Sequence, residues 1–203
     1  MSLNKYKEKR DFKKTEEPKG KSKKVRDDLI FVVQKHDATS LHYDFRLELD
    51  GVLKSWAVPK GPSLNPKDKR LAMMVEDHPF DYKDFEGVIP EGNYGAGEVI
   101  VWDNGTYHSI ETDDRKESIP YLKKGLEKGD LKFVLHGEKL NGQFALVNMK
   151  KPKQNAWLLI KKSDEFATDK DILKDNRSVL SGKGINEIGR DEVKKKSGPI
   201  NLS

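Results

Sequence analysis

Apolar and polar residues alternate without a break along residues 41–49. Leu41, Tyr43, Phe45, Leu47 and Leu49 take the odd positions, and His42, Asp44, Arg46 and Glu48 the even ones. Successive side chains of a strand point to opposite faces, so the stretch predicts a β-strand with one apolar and one ionisable face. Further strands are predicted at "LIFVVQKH" (29–36), "GVLKSWAVP" (51–59), "RLAMMVEDH" (70–78), "GEVIVWD" (97–103) and "GTYHSIE" (105–111). "DLKFVLHG" (130–137), "GQFALVNM" (142–149) and "AWLLIKK" (156–162) complete the set. Asp50-Gly51 reads as a tight turn, and Asn104-Gly105 as the turn of a hairpin. One helix stands out, "IPYLKKGLEK" (119–128), with a proline near its start and Gly129 just past its end. Short strands separated by turns predict an all-β fold with a minor helix, a small barrel or sandwich.

Composition divides the chain. Of 203 residues, 34% are hydrophobic and 36% charged, which fits a modest core with long polar flanks. Residues 1–27 carry almost no aliphatic side chains and are expected to form a flexible arm, because they bury too little apolar surface to offset chain entropy. The compact domain is expected over 28–165, and a loose polar tail over 166–203. The absence of cysteine excludes disulfides, thiolate metal sites and a cysteine nucleophile. No apolar run is long enough to cross a bilayer and the N-terminus lacks a signal-peptide core, so a soluble, cytoplasmic protein without membrane partners is expected. The net charge of +5 leans mildly toward polyanionic partners.

The ionisable face gains meaning when His36 is added. If the strands ending at His36 and starting at Leu41 form a hairpin with His36 opposite His42, then Gln34 faces Asp44. A one-residue slip would mix polar with apolar faces. This register gathers His36, His42 and Asp44, a donor set that suits Mn²⁺, Fe²⁺, Co²⁺ or Zn²⁺. Arg46 follows on the same face, where its planar fork of donors suits a phosphate. A solvated charged face would show the same alternation. A second cluster, "EDHPFDYKDFEG" (76–87), places His78 before a proline, at a turn or strand end. The glycines of "IPEGNYGAGEVIVWD" lead into a strand rather than a helix. Gly92, Gly95 and Gly97 therefore read as tight turning, not as a phosphate loop.

These segments resemble a known family. "FVVQKHDATSLHYDFRLELDGVLKSWAVPKGPS", "EDHPFDYKDFEGVIPEGNYGAGEVIVWDNGTY" and "LNGQFALVNMKKPKQNAWLLIKK" are similar to the 3'-phosphoesterase domain of bacterial and archaeal DNA ligase D systems. The arm's "KRDFKKTEEP" takes part, and the likeness spans about residues 9 to 165. The tail's "RSVLSGKGINEI" resembles the linker that follows the domain in multidomain relatives.

The resemblance implies a compact closed β-barrel with a substrate groove on one side. It implies manganese-dependent trimming of 3' ends at primer-template junctions, with Co²⁺ or Zn²⁺ able to occupy the site. A phosphodiesterase step would remove a 3'-terminal ribonucleoside, and a phosphomonoesterase step would then remove the 3'-phosphate to leave a ligatable 3'-hydroxyl. The family's metal ligands fall on His36, His42 and Asp44. Its phosphate contacts fall on Arg46 and His78, with Gln34, Ser55, Lys60, Arg70 and Tyr82 in support and Arg10, Asp11 and Glu17 in the arm. His78, if protonated, would serve as general acid. The arm is expected to fold over the site when nucleic acid binds. The chain reads as a stand-alone, monomeric version whose partners are DNA or RNA–DNA 3' ends, a separate DNA ligase and end-joining proteins.

Two other functions compete. A non-haem iron oxygenase would use His42 and Asp44 with a distant histidine, His136 being the best candidate. A non-catalytic DNA-end binding module would keep the groove and lose the chemistry.

Overall fold

The computed structural model describes residues 3–20, 27–150 and 155–189. Eight antiparallel strands close into a barrel. They are β1 (Leu29–Asp37), β2 (Leu41–Leu49), β3 (Val52–Val58), β4 (Lys69–Met74), β7 (Gly97–Ser109), β8 (Asp130–Gly137), β9 (Asn141–Asn148) and β10 (Ala156–Lys161). Around the wall they run β1-β2-β3-β4-β10-β9-β8-β7, and β7 pairs back onto β1. Two short strands sit beside this ring: β5 (His78–Pro79) pairs with β3, and β6 (Gly87–Ile89) with β7.

The odd residues of β2 fill the lumen. Phe45 stacks on Phe31 and packs against Phe133, while Trp56 meets Trp157 edge to face. All five aromatics are almost fully buried, and burying each such side chain contributes about 1.5–3 kcal/mol. The β2–β3 connection turns at Asp50 and Gly51, both in the left-handed region (φ 54° and 86°), as a two-residue hairpin turn demands.

Asn104-Gly105 does not turn. β7 runs through it as a single 13-residue strand, with Gly105 opposite both Phe31 and Gly137. A Cβ on Gly105 would lie 2.0 Å from the carbonyl oxygen of His136, so the glycine serves close approach of strands rather than a bend. The helix also begins earlier than its apolar pattern suggests. α2 (Arg115–Lys128) starts at Asp114, whose side chain accepts from the Glu117 N–H, and ends at Gly129 in the left-handed conformation.

A second layer covers the outer wall. Tyr6 from the short helix α1 (Leu3–Glu8) packs with Val32, Leu53, Tyr82, Phe85 and Val101. The arm expected to be loose therefore lies on the barrel over its described part, residues 3–20. Its charge-rich composition hides one fully buried aromatic, Tyr6, whose hydroxyl donates to the Pro18 carbonyl at 2.7 Å. The tail behaves alike up to residue 189. Trp102 Nε1 donates to the Asp175 carbonyl, and Ile185 and Ile188 cover Ile100. The remainder of the tail, 190–203, lies outside the described residues.

Candidate metal centre and phosphate cavity

The β1–β2 hairpin adopts the register the alternation implies. His36 pairs with His42, Gln34 with Asp44 and Val32 with Arg46. Residues opposed in an antiparallel pair share a face, so the ionisable side chains of both strands project from the outer wall. That face is not solvated. α1, the short 3-10 helix Phe80–Asp84 and the loop 90–96 close over it and leave a cavity of about 270 Å³.

Backbone carbonyls fix both histidines. His36 Nε2–H donates to the Gly95 carbonyl (2.8 Å), and His42 Nδ1–H to the Ser40 carbonyl (2.8 Å). The remaining ring nitrogens, Nδ1 of His36 and Nε2 of His42, carry lone pairs and lie 3.5 and 3.8 Å from the Asp44 carboxylate. One donor atom from each of the three residues falls within 4.8 Å of the other two. Two imidazoles and a carboxylate, each oriented from behind, fit a divalent transition metal with positions left for water or substrate. Burial opposes ionisation of Asp44, but Arg46 and the two histidines outweigh it and hold its carboxyl well below the usual carboxylate range.

Arg46 is 2% exposed, and each of its three nitrogens has its own partner. Nε donates to Gln34 Oε1 (2.8 Å), Nη1 to Ser55 Oγ (2.9 Å) and Nη2 to Asp44 Oδ2 (3.0 Å). Gln34 is itself anchored, its amide donating to the carbonyls of Tyr82 and Phe85. The guanidinium plane is thereby locked, with Tyr82 beneath it at 5.0 Å.

His78 stands on β5 beside Leu53 of β3. Its Nδ1–H donates to the Glu76 carbonyl (3.0 Å), and Nε2 accepts from Arg10 at 3.3 Å. Burial, then Arg46 and Arg10, pushes its pKa well below the ordinary histidine value. Between two guanidinium groups the charged form of the ring is disfavoured, which bears on the expectation that His78 acts as a general acid when protonated.

The arm completes the wall. Arg10 Nε donates to Glu17 Oε1 (2.8 Å), and its guanidinium lies 3.9 Å from the Tyr6 ring centroid. Glu17 also accepts from the Tyr82 hydroxyl (2.9 Å). Burial and the Glu17 charge hold that phenol protonated, its pKa well above the ordinary value.

Of the residues singled out in the sequence, His36, His42, Asp44, Arg46, His78, Tyr82 and Arg10 line the cavity. Gln34, Ser55 and Glu17 reach it through hydrogen bonds to Arg46, Arg10 and Tyr82. Three stand apart. Asp11 is exposed and caps the Lys13 N–H. Lys60 is exposed in the turn after β3. Arg70 shares the inward strand face of Ala72 and pairs with Asp68 at 2.9 Å. Sequence reasoning missed Glu76 and Tyr94. Glu76 is buried, accepts from Lys9 (3.0 Å) and faces Arg10 (3.5 Å). Its signal was parity, two residues before His78. His136 lies elsewhere, its Nε2 3.0 Å from that of His108 on the neighbouring strand, so the oxygenase triad is not assembled. Among the described residues, His36, His42 and Asp44 form the one metal-ligating cluster of three.

Known proteins share this arrangement of sequence. The family described as "DNA Ligase D 3'-phosphoesterase domain" matches residues 34–148. The multifunctional non-homologous end joining protein LigD of Pseudomonas aeruginosa is 54% identical over 188 residues, covering 88% of this chain and 21% of its own length. The multifunctional non-homologous end joining DNA repair protein LigD of Mycobacterium tuberculosis is 45% identical over 146 residues, 71% of this chain and 18% of its own. LigD of Mycolicibacterium smegmatis is 41% identical over 164 residues, 80% of this chain and 21% of its own. The chain thus spans about a fifth of the length of the curated relatives it matches. On the strength of these matches, the chain belongs to the DNA ligase D 3'-phosphoesterase domain family.

Proposed function

We propose that this protein is a manganese-dependent 3'-end-processing enzyme of DNA repair by end joining. It removes a 3'-terminal ribonucleoside from a primer-template end as a phosphodiesterase, then the remaining 3'-phosphate as a phosphomonoesterase. The 3'-hydroxyl left behind is the end that a DNA ligase seals. The observation that carries this reading is the convergence of a His36–His42–Asp44 donor set with Arg46, His78 and Arg10 in one cavity. In this reading the protein is a cytoplasmic monomer. Among the described residues, no helix is long and apolar enough to cross a membrane.

His36, His42 and Asp44 hold the ion, which when bound supplies Lewis-acid polarisation of a phosphate oxygen and a more acidic water. Arg46 meets charge developing on the phosphoryl oxygens with a guanidinium that has no reorientation left to make. Three hydrogen bonds already fix its plane, which leaves two of its five N–H donors for a phosphate. His78, neutral and held through Nδ1, offers Nε2 to a phosphate-bound proton or hydroxyl once Arg10 turns to the substrate. Arg10, which lines the same cavity, is the proposed partner of the second phosphodiester arm. No serine or cysteine nucleophile enters, and no covalent phosphoenzyme is expected.

The test is a 5'-labelled DNA primer with one 3'-terminal ribonucleotide on a longer template, with and without Mn²⁺, beside His42→Ala. The expected result is stepwise shortening to a 3'-phosphate and then a 3'-hydroxyl, only with metal and wild-type protein. Tight binding without cleavage would overturn catalysis in favour of an end-binding module.

A further inference from the structure

Two tyrosines border the cavity, and they are in opposite states. Tyr82 is buried, its hydroxyl spent on Glu17 and its ring packed against Tyr6, Phe85 and His78. Tyr94 is 51% exposed, one of seven large hydrophobic side chains left to water among the described residues, and it lines the cavity. Burying that ring would be favourable, yet the fold leaves it out.

The backbone beneath Tyr94 is tightly turned. Asn93 N–H donates to the Pro90 carbonyl and Ala96 N–H to the Asn93 carbonyl, forming two successive turns. Gly92, Gly95 and Gly97 hold positive φ (82°, 76° and 143°), and a Cβ on Gly97 would lie 2.0 Å from the Asp37 carbonyl oxygen. The loop is thus pressed onto the end of the hairpin that carries the donor set. The residue after Tyr94 accepts the His36 Nε2–H, so the ring is one peptide away from the group that orients a metal ligand. Its π face already draws a cation, with Lys9 Nζ 4.3 Å from the ring centroid and the Arg10 guanidinium at 5.9 Å.

We propose that Tyr94 is a positioning residue for the nucleobase at the 3' end, a stacking platform that sets where the adjoining phosphate falls. The proposal rests on the reading above that the cavity takes nucleic-acid 3' ends. A base of any identity has a π face, so an exposed aromatic on a tightly turned loop recognises the class without reading sequence. Lys9 leaves the ring as the base arrives and keeps its pairing with Glu76. The pocket thereby distinguishes a nucleotide end from a bare phosphoester, which Arg46 and the donor set alone do not.

The experiment uses the full chain with Mn²⁺ and two primer-templates ending in a 3'-hydroxyl deoxynucleotide, one bearing terminal 2-aminopurine and one abasic at that position. Wild type is expected to quench the 2-aminopurine. Tyr94→Leu should lose the quench and bind the base-bearing end about 10- to 100-fold more weakly, the range that one stacked base supplies. It should bind the abasic end as wild type does, and Tyr94→Phe should match wild type on both. An undiminished quench in Tyr94→Leu, or an equal loss at both ends, would overturn the proposal. A parallel assay of phosphate release from a 3'-phosphate primer separates the two readings. Release by wild type with no base dependence removes only the stacking role, whereas no release removes the enclosing function.

Discussion

The Nη2 of Arg46 lies 3.0 Å from Oδ2 of Asp44, so the cavity's guanidinium and a carboxylate of the candidate metal centre are already partners. Removing one side of a buried pair leaves the other charge uncompensated, which typically costs about 3–5 kcal/mol. Arg46→Ala is therefore expected to lose turnover, to lower stability, and to retain the metal. Because an ion at Asp44 would replace the missing positive charge, saturating Mn²⁺ should raise the melting temperature more in Arg46→Ala than in wild type. Arg46→Lys should not rescue, since one ammonium cannot serve Gln34, Ser55 and Asp44 in their fixed directions. Paired thermal denaturation and metal titration read all three; loss of metal affinity in Arg46→Ala would assign it a different role.

The arm is held by Tyr6 and by the Arg10–Glu17–Tyr82 set. An arm can detach while the barrel stays folded, so the stability it contributes is bounded by its own docking. Tyr6→Ala should make Lys9 and Arg10 accessible to trypsin while the barrel's unfolding midpoint moves little. The phosphodiesterase step should fall more than phosphomonoester hydrolysis. A trypsin pattern identical to wild type would mean that Tyr6 is not the anchor.

His78 and Asp103 predict pH slopes of opposite sign. The folded pKa of His78 is depressed by burial and by two guanidinium groups, so the unfolded chain takes up its proton first as pH falls below about 6.5. Its contribution is present above that pH and declines on acidification, by up to roughly 1.4 kcal/mol per pH unit. Urea unfolding at pH 7 and pH 5.5 should show this slope in wild type and lose it in His78→Gln.

Burial raises Asp103 to about 6, although its carboxylate accepts the N–H groups of Glu138, Lys139 and Leu140. Here the folded state holds the proton more tightly. The associated stability is full below the unfolded value near 4 and is lost as pH rises through about 6. Asp103→Asn should flatten that part of the profile. It should also lower stability by about 1–3 kcal/mol, since one amide oxygen replaces two acceptors at the β8–β9 turn. A profile unchanged by the substitution would place the Asp103 pKa back in the ordinary range.

Gly105→Ala should be among the most damaging single-methyl additions in the chain, because its Cβ would press on the His136 carbonyl. Loss of soluble protein or a large drop in melting temperature is expected; near-wild-type stability would show that β7 and β8 can separate there.

The hairpin register, and with it the donor set, was legible because a one-residue slip would mix the faces of an alternating strand, and the short turn between His36 and His42 favours their pairing. Two things were not. Asn104-Gly105 has the composition of a turn, and only the strands on either side show that the glycine is there to admit neighbouring backbones. The arm's charges suggested solvation, whereas Arg10 and Glu17 are each other's partners and Tyr6 supplies the apolar anchor. Local composition does not reveal whether a charge will meet water or an opposite charge 2.8 Å away. Glu76 and Tyr94 escaped for a related reason. Each belongs to the cavity through a fold-back that brings residues 9, 10, 36 and 76–95 together, and no local spacing encodes that.

The chemistry sits on the outside of a closed barrel, not at its mouth, and β2 serves both purposes with alternate residues. Phe45 and Leu47 hold the lumen while Asp44 and Arg46 line the outer cavity. Substitutions on one face can accumulate without disturbing the other, so the core and the site are free to drift independently. An inserted or deleted residue cannot be absorbed in this way. It would exchange the two faces at a stroke, turning the carboxylate and guanidinium into the core and the phenylalanine into the cavity. Descendants of this sequence can therefore be expected hardly to vary in the length of β2.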